Sequence, residues 1–151
     1  MMNLKWQIRF MKLAKEISTW SKDPSSQIGA VIVNDDRRIL ATGYNGFPKP
    51  VADDHRLDDR ESKYPLIIHA EMNALLNALN SGVPVKGSTI FVYNLPVCSE
   101  CAKNIAQSGI SNVVLIKPDN NSRWHEQWIL KTRPIFEECG IEYTTIEENQ
   151  L

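Results

Sequence analysis

Apolar residues at Leu4, Ile8, Met11, Ala14, Ile17 and Trp20 recur every three or four positions with lysines between them, which predicts an amphipathic helix from Leu4 to Trp20. Asp23-Pro24 and the two serines that follow end it. Ile28 to Val33 and Ile39 to Gly43 are short, branched apolar runs separated by Asn34-Asp35-Asp36-Arg37, the pattern of two strands joined by a hairpin turn. From Asn45 to Tyr64 the chain is polar and contains proline. It reads as a long loop, and such loops in compact domains often carry function. A helix is expected from Glu71 to Asn80, stopped by Gly82 and Pro84. Thr89 to Tyr93 predicts a third strand, Ser99 to Gln107 a helix closed by Gly109, and Asn112 to Ile116 a fourth strand. Trp124 to Cys139 reads as a helix interrupted at Pro134, followed by a short strand from Ile141 to Thr145. Strands alternating with helices, plus one antiparallel hairpin, predict an α/β sheet covered by helices on both faces.

Length and composition narrow the class. A chain of 151 residues can bury one sizeable core, so a single domain over residues 1–151 is expected. Hydrophobic residues make up 42% and charged residues 23%, and the formal net charge is −1, which is ordinary for a soluble globular protein. The basic excess that long polynucleotides demand is absent, so a nucleic-acid partner is not expected. No secretory leader and no apolar stretch of roughly 18 residues is visible, which leads us to expect a cytoplasmic protein without a membrane partner. Three cysteines, two of them in C-x-x-C, do not make a disulfide framework and point to metal binding or redox chemistry.

The chemistry concentrates in His69-Ala70-Glu71 and Cys98-Ser99-Glu100-Cys101. One imidazole and two thiolates make three ligands, and a catalytic zinc site takes about three protein ligands while keeping a fourth position for water. Glu71 is then an acid left unligated, free to move a proton. Alone, H-x-E is an incidental helix start, and C-x-x-C is equally a redox pair or half of a structural zinc knuckle. Together, and each at a predicted helix start, they read as one hydrolytic metal site, with thiolates favoured by the helix amino terminus. Cys139, between Phe136 and Ile141, reads as a core thiol. His55 and His125 have no ligand partners at useful spacing. The acidic stretch from Asp53 to Glu61, interleaved with Arg56 and Arg60, reads as a solvated loop. Trp6, Trp20, Trp124 and Trp128 read as packing residues.

Asp23-Pro24-Ser25-Ser26-Gln27-Ile28-Gly29-Ala30-Val31-Ile32-Val33, Gly43-Tyr44-Asn45-Gly46-Phe47-Pro48, Lys63-Tyr64-Pro65, His69-Ala70-Glu71-Met72-Asn73-Ala74 and Cys98-Ser99-Glu100-Cys101-Ala102-Lys103 resemble the deoxycytidylate (dCMP) deaminases of the cytidine deaminase superfamily. The resemblance implies a three-layer α/β/α sandwich with a mixed five-stranded sheet, a homo-oligomer that is commonly a hexamer, and deamination of dCMP to dUMP. It implies His69, Cys98 and Cys101 as Zn²⁺ ligands and Glu71 as the proton shuttle; some members carry extra cysteines and histidines for a second, structural zinc, but this chain has no cysteine before Cys98, so one Zn²⁺ per subunit is expected. Asn45 is implied at the deoxyribose, the Ala70 N–H and the carbonyls just before Cys98, with Pro96, at the pyrimidine edge, and Ser25 and Ser26 at the 5′-phosphate. Gly43, Tyr44, Asn45 and Gly46 resemble a segment that regulated members use for a nucleotide effector, where dCTP activates and dTTP inhibits, with Mg²⁺ accompanying the triphosphate. Two departures stand out. The proline before the first cysteine is displaced by one, giving Pro96-Val97-Cys98, and Lys117-Pro118-Asp119 occupies the place of an aromatic residue, with Trp124 the nearest substitute. Competing readings are a deaminase of another cytosine nucleoside, nucleotide or polynucleotide, and a non-catalytic zinc module, which would need a fourth ligand.

Overall fold

A computed structural model describes residues 2–151; Met1, which the expected single unit includes, lies outside them. Five strands form one sheet in the order β2-β1-β3-β4-β5: β1 Gly29–Val33, β2 Ile39–Tyr44, β3 Thr89–Tyr93, β4 Asn112–Ile116 and β5 Glu142–Ile146. β1 pairs antiparallel with β2 and β3, whereas β3, β4 and β5 run parallel, so the sheet is mixed as expected.

Side chains alternate across a strand, and here both sets are apolar. Val31, Val33, Phe91 and Val114 face helix α1 (Leu4–Ser18), which contributes Phe10, Met11, Ala14 and Ile17. Ala30, Ile32, Ile90, Val92, Val113 and Leu115 face the opposite layer. That layer contains α3 (Ala70–Asn80), α4 (Ser99–Gln107) and α6 (Arg133–Glu138), reached after the short α2 (Arg60–Lys63) and α5 (Arg123–Gln127). A sheet buried on both faces with helices on each side is the three-layer sandwich.

Two glycines set the layer spacing. A Cβ on Gly29 would run into the Ala14 carbonyl of α1, and one on Gly43 would run into the Ala74 amide and the Ala70 carbonyl of α3. Backbone therefore meets backbone on each side of the hairpin, a contact only glycine permits.

Four expectations need correction. The first helix ends at Ser18, and Trp20 is 55% exposed against the edge of Tyr44, because Thr19 and Trp20 already turn the chain through hydrogen bonds to Glu16 and Ile17. The long loop contains a 3-10 turn, His55–Asp58, and α2, each started by an aspartate side chain (Asp54, Asp59) that accepts a backbone N–H. The last helix is three pieces, α5, a π-helical turn Trp128–Thr132, and α6 with Pro134 in its first turn. Proline has no N–H for the carbonyl four residues back and crowds it, so the ladder widens before Pro134. Cys139 is exposed: it caps α6 where Gly140, at φ +72, swings the chain back, and Ile141 fills the core instead. Among the described residues no helix is long and apolar enough to cross a membrane.

Gly43→Ala is expected to destabilise the protein by about 2 kcal/mol through overpacking and, because α3 begins at the candidate site, to lower bound zinc. Urea unfolding and metal content of the purified variant check this; an unchanged midpoint would contradict the packing account.

Candidate active site

Both halves of the predicted cluster sit at helix starts. His69 is the N-cap of α3 and Cys98 the N-cap of α4, where the Cys98 sulfur accepts the Cys101 N–H at 3.4 Å. His69 Nδ1 lies 3.4 Å from Cys98 Sγ and 3.5 Å from Cys101 Sγ. Zinc bonds of about 2.3 Å to sulfur and about 2.05 Å to nitrogen give a tetrahedron whose N···S edges are about 3.6 Å. The donor set fits a zinc ion. Among the described residues this is the one group of three such donors within reach of one another, and no further carboxylate or imidazole closes it to a fourth ligand.

Electrostatics agree with a metal-ready cluster. The Cys98 thiol is lowered to about 4, first by its hydrogen bonding with Cys101 and then by His69, while Cys101 is pushed up by that same pairing and by burial. Thiolate is the form that binds a cation, so metal entry is coupled to loss of the protons this pair holds. His69 is raised by its hydrogen bond to Cys98. Glu71, in the first turn of α3, is 4% exposed, and burial pushes its carboxyl from 4.5 up to about 6. A carboxyl poised near neutrality can both accept and return a proton.

A cavity of about 280 Å³ opens over His69, Glu71 and Cys98. Ser25, Ser26, Asn45 and Pro96 line it, and Trp124 and Trp128 form part of the wall rather than serving packing alone. Ala70 is fully buried between His69 and Glu71. Of the segment expected at an effector, only Asn45 reaches this cavity: Gly43 is packed on α3, Tyr44 leans on Trp20, and Gly46 bridges to Ile68. Asn45 is heavily committed. Its amide donates to Asp23 Oδ2 at 3.3 Å and the Ser26 carbonyl at 2.8 Å, and its Oδ1 accepts the Ile28 N–H at 2.9 Å.

Sequence reasoning missed several groups. The Val97 carbonyl, one of those expected toward the pyrimidine, accepts the Thr132 hydroxyl at 2.8 Å, so the π-helical turn anchors the residue before Cys98. Lys63 forms a buried ion pair with Asp23 at 3.0 Å, and Arg60 and Arg123 also line the cavity. Lys63 stood inside a motif already singled out, but nothing local marked its partner 40 residues away. His125 is partly buried with its Nδ1 unpaired, and His55 is exposed.

A family model described as the cytidine and deoxycytidylate deaminase zinc-binding region matches residues 4–117, which contain all three donors and Glu71. The chain belongs to this family. It is 41% identical over 142 residues to an uncharacterized deaminase of Aliivibrio fischeri, covering 93% of this chain and 92% of that protein. Identity to the deoxycytidylate deaminase of Mus musculus is 37% over 150 residues, covering 93% and 79%. The crystal structure of dCMP deaminase from the cyanophage S-TIM5, in complex with dCMP and dUMP, superposes with a TM-score of 0.77 at 25% identity, covering 97% of this chain and 100% of that one. The family's cytidine deaminase-like fold, with its mixed five-stranded sheet, is therefore the fold described above.

Because the folded-state value of Glu71 lies above its ordinary value, its penalty is absent below pH 4.5, grows as pH rises toward 6, and is constant above. Metal-free Glu71→Gln is expected to gain ~2 kcal/mol over metal-free wild type across that window. Urea unfolding in chelator at pH 5 and pH 7.5 checks it, and a gap that does not widen between the two would remove the burial explanation.

Proposed function

We propose that this chain hydrolyses the C4 amine of dCMP, giving dUMP and ammonia. The observation that carries the reading is a buried carboxyl, Glu71, raised to about 6 beside a three-donor cluster of zinc geometry, at the floor of a mononucleotide-sized cavity. Similarity to deoxycytidylate deaminases over most of the chain supports the choice of nucleotide.

In this reading His69, Cys98 and Cys101 would hold one Zn²⁺, which when bound would supply Lewis acidity for hydrolysis at neutral pH. Glu71 takes a proton from the attacking water and returns protons to N3 of the ring and to the departing amine. Water supplies the oxygen, ammonia leaves, and the ring becomes uracil. Burial sharpens each transfer, because the carboxyl has few competing water contacts. Pro96 bounds the pyrimidine edge, and Ala70 contributes its N–H there from the first turn of α3. Asn45 fixes the Asp23–Ile28 loop along the sugar through its three hydrogen bonds, and Ser25 and Ser26 stand where that loop meets the cavity. The same reading carries residence in the cytoplasm and assembly into an oligomer, a hexamer on the family pattern. It also carries control by dCTP and dTTP, with Mg²⁺ accompanying the triphosphate.

Deamination followed by ultraviolet absorbance on zinc-loaded protein, with dCMP, deoxycytidine and dCTP, tests the substrate: dCMP is expected to be preferred. Equal or better turnover of another substrate would keep the family chemistry and reject dCMP. Glu71→Gln is expected to retain zinc and fold while turnover falls at least ~10²-fold; Cys98→Ser is expected to lose zinc. Near-normal turnover in Glu71→Gln would remove the proton-shuttle role.

A further inference from the structure

The cavity wall carries cations that proton transfer at Glu71 does not use. Lys63 is buried, its side chain 9% exposed, and its ammonium donates to Asp23 Oδ1 at 3.0 Å and Ser25 Oγ at 3.2 Å. An ammonium has three donors, so this pairing accounts for two. Arg60 lies three residues earlier on α2, hence on the same helix face, and lines the same cavity. It is exposed, its guanidinium rests on the Tyr64 ring at 4.8 Å, and among the described residues it forms no ion pair.

The acids lining the cavity are Glu71, beside the donor cluster, Asp23, paired with Lys63, and Asp58, which precedes α2 in the 3-10 turn. Arg123 is the third cation on the wall. It stacks on Trp124 at 4.5 Å, and its neighbours on the wall, Trp124, Gln127 and Trp128, bring no second cation or hydroxyl. Arg60 and Lys63 both line the cavity from α2, and Lys63 holds the Ser25 hydroxyl, so α2 brings a guanidinium without an ion pair, an ammonium and a hydroxyl to the cavity. A phosphate dianion needs charge compensation as well as donors. Two neutral serine hydroxyls give only donors, whereas a planar guanidinium matches two phosphate oxygens at once.

We propose that Arg60 is the residue that selects a nucleoside 5′-monophosphate over a nucleoside, binding the phosphate oxygens beside Lys63 and Ser25. This rests on the reading of the substrate as dCMP. Asp23 holds Lys63 and Ser25 in place, and Arg60 supplies the uncompensated charge. Phosphate binding draws Arg60 off Tyr64 at little cost, since an exposed cation–π contact is weak.

The test is kcat/KM for dCMP and for deoxycytidine on zinc-loaded wild type, Arg60→Ala, Arg60→Lys and Arg123→Ala, together with calorimetric binding of dUMP and of deoxyuridine. Arg60→Ala is expected to lower kcat/KM for dCMP and affinity for dUMP by ~10- to 100-fold. The loss falls on the monophosphates and not on the nucleosides, and Arg60→Lys restores part of it. An undiminished dCMP preference in Arg60→Ala would overturn the proposal. So would an equal loss on both substrates, the mark of a structural role, or a selective loss at Arg123→Ala with none at Arg60→Ala. A wild-type enzyme with no preference for dCMP over deoxycytidine overturns the substrate reading itself, and is told apart because it appears before any substitution is made.

Discussion

Backbone against backbone at Gly43 fixes where α3 begins, and the candidate chemistry begins with it. The first turn of that helix carries His69 and Glu71, and its neighbour α4 carries both thiols, so the 3.4 and 3.5 Å separations between donors depend on how closely two helices seat on one sheet. Gly29 plays the same part on the other face, where α1 presses on β1. A hairpin clamped from both sides gives the site a rigid reference. This matters because catalytic groups must hold their places to within roughly half an ångström.

Against that rigid frame the protein maintains two unfavourable burials. Glu71 is a carboxyl largely withdrawn from water, and Asp23–Lys63 is an ion pair whose side chains are 6% and 9% exposed. Desolvation opposes both, and a buried pair adds little net stability compared with an apolar substitute. Each has a use at the cavity. The acid gains a value near neutrality, and the pair ties the Ser25 loop to α2 across a gap of 40 residues in sequence.

Much of this was legible in the chain because it is local. C-x-x-C and H-x-E place their groups within one helical turn by spacing alone, and the largely buried strands β1, β3 and β4 announce themselves as branched runs. What escaped had no local signal. The short helix α2 is set by the Asp59 side chain rather than by apolar periodicity, and the Trp20 position continues a helical rhythm after the hydrogen bonds have already stopped. Lys63 with Asp23, and Thr132 with the Val97 carbonyl, meet only because the topology folds distant segments together. Cys139 lies beside core residues in sequence yet falls on the turn that leaves the helix.

The π-helical turn at Trp128–Thr132 gives this enzyme a point of variation that leaves its sheet untouched. Such a turn amounts to one extra residue in an α-helix. Because one widened turn takes up that residue locally, the helix on either side keeps its facing. Arg123, Trp124 and Gln127 stay on the cavity wall, and Thr132 stays on the Val97 carbonyl beside Cys98. A single residue gained or lost there is absorbed by the winding of the helix and is not passed on to the sheet.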